Sequence, residues 1–453
     1  MSSVVNSIIF KDIFGTKEVR EIWSDERRTK YYLDWEIALA KSQSAMGLIP
    51  LNAYDEIRKK ATLDHIDMGK LKSTTELIGY PVLGVVQQLE EACENGLGKF
   101  CHYGATTQDV TDTATVMQIR DSLLWIDTHL EYVMDAVSSL AMEHRSLPMA
   151  GRSNLQQAVP ITFGFKMARL LATLKRHKRR LDQLRESALM LEFGGAAGTL
   201  APLGDRGLEC QKLLAEELKL DQPDIAWHTE RDCIADVGAF LALLCGTLSK
   251  NAQDIKLMMQ TEVGEVSEKY VPHRGSSSTM PQKMNPISCA YIHSMAATVR
   301  QHSAALMDAM VADHERSTGP WEIEWIVLPE AFILTSGVLS QTKLLMEGLT
   351  IYPENMARNL RLTKGLIVSE AVMMAMAPAF NGRQEVHDFI YDLSRQALDQ
   401  DCMLIDLLKQ DMRLKKIIET QKDGWLDELC DPANYLGSSC EMVDRVVLNK
   451  KTA

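Results

Sequence analysis

The sequence has no metal-binding cysteine pattern, no long uninterrupted apolar segment and no excess of positive charge. Its nine cysteines are odd in number and show no C-x-x-C spacing, so neither a zinc site nor a disulfide framework is expected. Neither a signal peptide nor a membrane span is visible, which favours a reduced, cytoplasmic protein that does not bind membranes. The formal charge of −12, from 49 basic and 61 acidic residues, argues against nucleic acid as the main partner.

Aromatic residues are also scarce, at 6% of the chain, whereas methionine is abundant, with 24 residues. Both features suit long, closely packed helices. Apolar residues at helical spacing predict such helices over 112–143, from Pro160 to about 191, and over 234–262, 287–313 and 328–348. Rods of this length bury their apolar faces against one another, so an all-α fold with a central helical bundle is predicted.

The length of the chain predicts more than one domain. With 453 residues it exceeds what one hydrophobic core usually supports, so two or three domains are expected. Breaks in the helical pattern divide the chain into a mostly helical N-terminal domain (1–110), a central helical bundle (111–352) and a small helical C-terminal domain (353–453).

Residues 275–286, Gly-Ser-Ser-Ser-Thr-Met-Pro-Gln-Lys-Met-Asn-Pro, depart most clearly from the helical pattern. Serine side chains compete with the backbone for hydrogen bonds, and Pro281 and Pro286 each remove a donor, so a loop is predicted here. Its hydroxyls, Lys283 and Asn285 can bind an anionic substrate or exchange a proton with it. Composition alone also fits a Ser-rich surface loop between helices.

The run 276–286 resembles the signature loop of the fumarase/aspartase superfamily, Gly-Ser-Ser-x-Met-Pro-x-Lys-x-Asn, with Ser276 in place of the first glycine. The resemblance covers nearly the whole chain and is strongest to the 3-carboxy-cis,cis-muconate cycloisomerase branch, within it to the trans-aconitate decarboxylases. It implies a three-domain fold whose central bundle assembles a homotetramer with active sites shared between subunits. It also implies that Ser277 and Lys283 are catalytic and that Ser278, Met280 and Asn285 bind substrate.

A second block, 102–113, precedes the first long helix. A helix start with exposed N–H groups and hydroxyls can bind a carboxylate. Helix capping alone would explain Thr111 and Asp112. The block resembles the first conserved block of the superfamily, which implies substrate-binding roles for Thr106, Thr107 and Gln108 and, by its match to the adenylosuccinate lyase branch, for His102.

A third block, 151–164, departs from the family pattern. Asn154 stands where the family has a general-acid histidine, and Gln157 stands where the muconate branch has a histidine. Neither amide titrates near neutral pH, although both can bind carboxylates through their N–H groups. This departure counts against the elimination of ammonia or an amine.

Two arginines complete the candidate set. Block 313–322 resembles one in which an arginine binds the substrate carboxylate, and Arg316 fits this role because its planar guanidinium binds carboxylates bidentately. Arg20 is a further candidate anion contact. Block 227–232 resembles another block of the muconate branch, but no role is assigned to it.

These residues favour a cofactor-independent decarboxylase that acts on a small unsaturated tricarboxylate. The resemblance implies conversion of trans-aconitate into itaconate and CO2 through an enediolate-type carbanion. Three alternatives stay open: a 3-carboxymuconate cycloisomerase, a lyase that releases fumarate from an N-substituted aspartate, and a catalytically silent scaffold. The sequence contains no metal-ligand cluster and no nucleotide-binding fingerprint, so no cofactor is expected.

Overall fold

A computed structural model describes residues 3–380 and 382–448, and most of them are helical. The α-helices are α1 (Lys17–Ile22), α2 (Asp25–Ala45), α3 (Leu51–Lys60), α4 (Met68–Ile78), α5 (Val82–Ala92), α6 (Thr107–Glu143), α7 (Phe163–Ala188), α8 (Gly207–Leu218), α9 (Asp232–Met258), α10 (Ile287–Asp308), α11 (Pro320–Glu347), α12 (Pro353–Leu360), α13 (Ser369–Met376), α14 (Arg383–Asp399), α15 (Leu404–Gln410), α16 (Met412–Ile418), α17 (Trp425–Leu429) and α18 (Ser439–Leu448). Short 3-10 segments cover Leu63–His65, Leu97–Phe100, Ala201–Arg206, Leu366–Val368, Ala377–Ala379 and Pro432–Asn434. The prediction of an all-α fold with long helices is confirmed.

The long helices differ from their predicted bounds at both ends. Helices α9 and α10 end at Met258 and Asp308, four and five residues before the predicted ends at 262 and 313. Helix α6 has 37 residues and begins at Thr107, five residues earlier than predicted. Thr111 and Asp112 therefore lie inside the helix, and their interpretation as capping residues is wrong. Helix α11 has 28 residues and begins at Pro320, eight residues earlier than predicted, because a proline is accepted in the first turn of a helix.

A β-hairpin was not predicted. Strands β1 (Pro148–Ser153) and β2 (Gln156–Thr162) pair antiparallel, with Met149 opposite Ile161 and an irregularity at Gly151. A Cβ atom at Gly151 would lie 2.7 Å from the carbonyl oxygen of Val159, which explains the glycine. The helix predicted from Pro160 is wrong at its start, because Pro160 belongs to β2 and α7 begins at Phe163. A smaller antiparallel pair joins β3 (Val266–Ser267) to β4 (Thr350–Ile351).

The chain forms two compact units. The first comprises Met1–Leu130, His177–Ser249 and Tyr291–Gln341, and the second comprises Glu131–Arg176, Lys250–Ala290 and Thr342–Ala453. The predicted division at 110 and 352 stays a prediction.

Helices α9 and α11 are long and apolar enough to resemble membrane-crossing segments. In each, 61% of the most apolar stretch is buried inside the protein. Their apolar side chains therefore belong largely to the protein core, which they stabilise because burying apolar surface away from water is favourable.

Candidate active site

The Ser-rich loop of the second unit is closed at its base. Ser276 and Met284 form an antiparallel bridge. The backbone N–H and the side-chain amide of Asn285 both donate to the carbonyl oxygen of Gly275, at 3.1 and 2.8 Å. Gly275 has a φ of +71°, and a Cβ atom there would lie 2.7 Å from the carbonyl oxygen of Asn285. Asn285 therefore holds the two ends of the loop together, and its predicted contact with substrate stays a prediction.

Ser277 lies within this loop and is half-buried. Its Oγ accepts hydrogen bonds from the backbone N–H groups of Met280, at 3.1 Å, and Thr279, at 3.3 Å. N–H donors aimed at an oxygen stabilise negative charge on it, as a serine that exchanges a proton requires. The side chains of the predicted residues Ser278, Met280 and Lys283 are exposed at the same loop.

A cavity of about 260 Å³ lies beside the loop, and Lys283, Asn285 and Ser276 contribute to its wall. His273 also lines this cavity and has a φ of +66°, in the left-handed region that only a few per cent of non-glycine residues adopt. Sequence reasoning missed this residue. Its position four residues before Ser277 is the signal that could have identified it as a titratable group near the loop.

The structure gives the two uncharged residues of the hairpin separate local roles. Asn154 and Leu155 form the turn, with φ of +50° and +65°, and Asn154 is exposed. Asparagine tolerates this conformation better than most residues. The side-chain amide of Gln157 donates to the carbonyl oxygen of Asn359 at 2.9 Å. The predicted substrate contacts of Asn154 and Gln157 stay predictions.

In the first unit, Thr106 and Thr107 lie at the start of α6 and are half-buried. The backbone N–H of Thr106 donates to Oδ2 of Asp109 at 2.9 Å. This contact fixes the conformation of the residue before the helix, where the first N–H groups lack helical partners. The position agrees with a carboxylate-binding helix start.

Gln108 and Arg316, which were predicted separately, are in direct contact. Nη1 of Arg316 donates to Oε1 of Gln108 at 2.9 Å. The side-chain nitrogen of Gln108 donates to Oδ2 of Asp112, at 2.9 Å, and to the carbonyl oxygen of His228, at 2.8 Å. Gln108 is 2% exposed, and its amide is engaged at both ends. The occupied amide favours a supporting role for Gln108 beside a half-buried Arg316.

The two remaining candidates of the first unit have partners within the protein. Nδ1 of His102 lies 2.7 Å from Oε1 of Glu36. Burial lowers the pKa of His102, but the Glu36 carboxylate more than offsets this, so the pKa is raised. Arg20 donates to the carbonyl oxygen of Lys11, and burial lowers the pKa of its guanidinium. Both residues have local partners, and their substrate-binding roles stay predictions.

A buried cluster that the sequence did not reveal lies next to the start of α6. Oδ1 of Asp109 lies 2.8 Å from Nε2 of His228, and Oε1 of Glu192 lies 3.4 Å from the same nitrogen. Burial, together with the negative charges of Asp112 and Asp109, raises the pKa of Glu192 to about 9. Glu192 is therefore protonated at neutral pH.

The same cluster brings three possible metal-ligand atoms within 4.8 Å of one another, from Asp109, Glu192 and His228. Both oxygens of Asp109 already accept hydrogen bonds, from His228, from Thr106 and from the backbone N–H groups of Gly194 and Gly195. Because both Asp109 oxygens are engaged in this way, the donor set fits a hydrogen-bonded scaffold better than a metal centre.

Family models match most of the chain. A model described as "Lyase" matches residues 14–300, and one described as "Adenylosuccinate lyase C-terminus" matches residues 365–446. The two matches together include every candidate residue except Arg316, which lies between them.

Individual proteins match over almost the full length. Trans-aconitate decarboxylase 1 of Mycosarcoma maydis is 54% identical over 442 residues, which cover 98% of this chain and 89% of that protein. A 3-carboxy-cis,cis-muconate cycloisomerase of Acinetobacter baylyi is 36% identical over 98% of this chain and 99% of that protein. The crystal structure of a fumarate lyase from Mesorhizobium sp. BNC1 is 43% identical, has a TM-score of 0.90, and covers 96% of this chain and 99% of that one.

Proposed function

Because the chain belongs to the fumarase/aspartase superfamily of lyases, we propose that it is a cofactor-independent carboxy-lyase converting trans-aconitate into itaconate and CO2. The observation that carries this proposal is the 54% identity to a trans-aconitate decarboxylase along 98% of the chain. We further propose that it acts in the cytoplasm as a homotetramer with active sites shared between subunits.

The chemistry needs a stabilised anion and a proton donor. In trans-aconitate the double bond lies between the β and γ carbons, counted from the carboxylate on the methylene carbon. When its C–C bond breaks, CO2 leaves and the electron pair moves through the double bond onto the far carbon, next to another carboxylate. That carbanion is stabilised as an enediolate, and its protonation at the far carbon gives itaconate. No base has to remove a proton from carbon, because CO2 leaves instead.

The candidate residues meet these needs. Arg316 and Lys283 are cations that can hold carboxylates, and Thr106 and Thr107 offer hydroxyls and a helix start. Oγ of Ser277, with its two N–H donors, is the proposed site from which the proton reaches the carbanion. Each donor stabilises charge that develops during the reaction, which is where hydrogen bonds accelerate catalysis most.

The uncharged hairpin residues support the choice of reaction. A lyase that removes a proton from carbon and expels an amine needs a titratable acid, and neither Asn154 nor Gln157 can supply one. Decarboxylation has no leaving group that must be protonated. The loss of both histidines is therefore tolerable for the proposed reaction and costly for the elimination.

Proton NMR of the purified protein with trans-aconitate tests the proposal. Parallel samples contain cis-aconitate and 3-carboxymuconate. Itaconate vinyl signals from the trans isomer alone are expected. Consumption of 3-carboxymuconate alone would overturn the proposal in favour of a cycloisomerase. If all three compounds persist, the decarboxylase assignment fails, and fumarate release from substituted aspartates is measured next.

Cycloisomerisation is the second candidate function. The identity of 36% to a curated cycloisomerase over nearly the full length of both proteins supports it. In that reaction a carboxylate adds to a double bond and the resulting carbanion is protonated, so it uses the same anion stabilisation. The uncharged Gln157, where that branch has a histidine, counts against it.

A further inference from the structure

The guanidinium of Arg316 is held in place by neutral oxygens. Nη1 donates to Oε1 of Gln108 at 2.9 Å. Nη2 donates to the carbonyl oxygens of Gly195, at 3.0 Å, and Ala196, at 2.8 Å. Other arginines of the chain pair directly with carboxylates, such as Arg152 with Glu265. Arg316 is thus fixed in direction by these contacts, and none of the three acceptors neutralises its charge.

Buried carboxylates accept hydrogen bonds from the same residues that supply these oxygens. Oδ2 of Asp112 accepts from the same Gln108 amide whose oxygen receives Arg316. Asp109, which is 0% exposed, accepts from the backbone N–H groups of Gly194, at 2.9 Å, and Gly195, at 3.0 Å. Asp109 therefore anchors the segment whose carbonyl groups hold Nη2 of Arg316.

Asp109 also fixes the second anion-binding feature of this unit. Its Oδ2 accepts the backbone N–H of Thr106, and its Oδ1 lies 2.8 Å from Nε2 of His228. One carboxylate thus links the start of α6 to the segment beneath Arg316. Four donors surround it, so its own negative charge is well compensated and does not need Arg316 as a counter-ion.

We infer that Asp109 and Gln108 are positioning residues for Arg316: they orient its guanidinium through neutral groups and leave its charge available for a substrate carboxylate. The inference rests on the proposed function, because it takes Arg316 as a carboxylate-binding group. A direct ion pair would orient the arginine equally well, but it would make the substrate compete with a protein carboxylate.

A double-mutant cycle tests the inference with tricarballylate, a saturated tricarboxylate that cannot lose CO2 through a double bond. Its dissociation constant is measured by calorimetry for the wild type, Asp109→Asn, Arg316→Ala and the double variant. Asn retains one acceptor oxygen but turns an NH2 group towards N–H donors. The matched control is Asp127→Asn, which lies on the same helix and accepts from Arg185.

We expect Arg316→Ala to weaken binding by roughly 10-fold to 100-fold, the usual range for losing charge-assisted hydrogen bonds. Asp109→Asn should weaken binding by about 10-fold or more when Arg316 is present and by several-fold less once Arg316 is absent, the remaining loss coming from its contact with Thr106. A purely structural role would give the same loss in both backgrounds, and that result overturns the inference. Asp127→Asn should leave the dissociation constant unchanged.

Two further outcomes have fixed meanings. If the wild type neither binds tricarballylate nor converts trans-aconitate, the proposed function fails and the inference fails with it, whereas additive losses overturn the inference alone. If Asp109→Asn does not fold, the cycle is repeated with Gln108→Met, because Gln108 is the other support of Arg316. Additivity between Gln108→Met and Arg316→Ala then overturns the inference.

Discussion

Arg231 and Asp112 form a buried bidentate ion pair, with Nη1 of Arg231 2.7 Å from Oδ2 of Asp112 and Nη2 3.1 Å from Oδ1. Glu324 completes the group, because its Oε1 accepts from Nε of Arg231 at 2.9 Å. Burial alone lowers the pKa of Arg231, but the two carboxylates raise it well above its ordinary value. Asp112 also accepts from the side-chain amide of Gln108, so this ion-pair group helps to hold Gln108 in place beside Arg316.

Replacing Arg231 with alanine should destabilise the first unit severely. Two buried carboxylates would lose their counter-ion, and breaking a buried pair in this way costs roughly 3–5 kcal/mol. Urea unfolding followed by circular dichroism measures the change. The control is Lys41→Ala, which removes an exposed pair with Glu217 in the same unit and should shift the midpoint far less. Equal shifts for the two variants would contradict the prediction.

Replacing Ser277 with alanine should lower turnover of trans-aconitate by about 100-fold or more, because a positioned proton donor typically contributes that factor. The fold should be unchanged, since Oγ contacts only its own loop. Itaconate formation is followed by NMR, and Ser294→Ala, an exposed serine on α10, is the matched control. A variant that retains the wild-type rate would exclude Ser277 as the proton donor.

Gly275→Ala should impair activity by opening the base of the loop. The new Cβ atom would lie 2.7 Å from the carbonyl oxygen of Asn285, at a φ of +71°. Gly424→Ala is the control, because Gly424 has a similar φ, +79°, and no atom within 4 Å of the added Cβ. Both variants should lose about 1–2 kcal/mol of stability through backbone strain. Only Gly275→Ala should lower kcat/KM. Equal kcat/KM values for the two variants would show that activity does not need the joined base of the loop.

Glu192→Gln should change the pH dependence of stability. Because the pKa of Glu192 is raised to about 9 in the folded protein, the folded state keeps a proton that the unfolded state releases near its ordinary value of 4.5. The stabilisation is therefore complete below about pH 4.5 and is lost as the pH rises towards 9. Glutamine resembles the protonated form at every pH.

The difference in melting temperature between Glu192→Gln and the wild type should accordingly grow in favour of the variant between about pH 5 and pH 9. Other groups titrate alike in both proteins, so the difference reports on Glu192. A difference that stays constant over this range would show that Glu192 is ionised in the folded protein.

Local patterns in the sequence were sufficient to predict the helices and the loop. Apolar spacing located α9 and α10 to within a few residues, because these helices bury one continuous face. The fixed residue types of 276–286 identified the loop. The hairpin was missed because its strands carry Gly151 and Pro160, which weaken a strand pattern, and its turn uses Asn154 followed by leucine instead of glycine.

The buried cluster could not be predicted, because it depends on contacts between distant residues. Asp109 meets Gly194 and His228, which are separated from it by 85 and 119 positions in the chain. Nothing in the local sequence distinguishes this aspartate from a surface residue. The contact between Gln108 and Arg316 spans 208 positions, so their direct association became visible only in the folded chain.

The two hydrogen bonds between Asn285 and Gly275 affect how much of a ligand's binding energy can serve catalysis. Joining the two ends of a flexible ten-residue segment costs about 2 kcal/mol of chain entropy. This entropy is lost when the protein folds, and the two hydrogen bonds that Asn285 donates to the Gly275 carbonyl oxygen help to offset it. A ligand that binds this loop does not have to bring its two ends together. More of its contact energy is then left to favour the transition state.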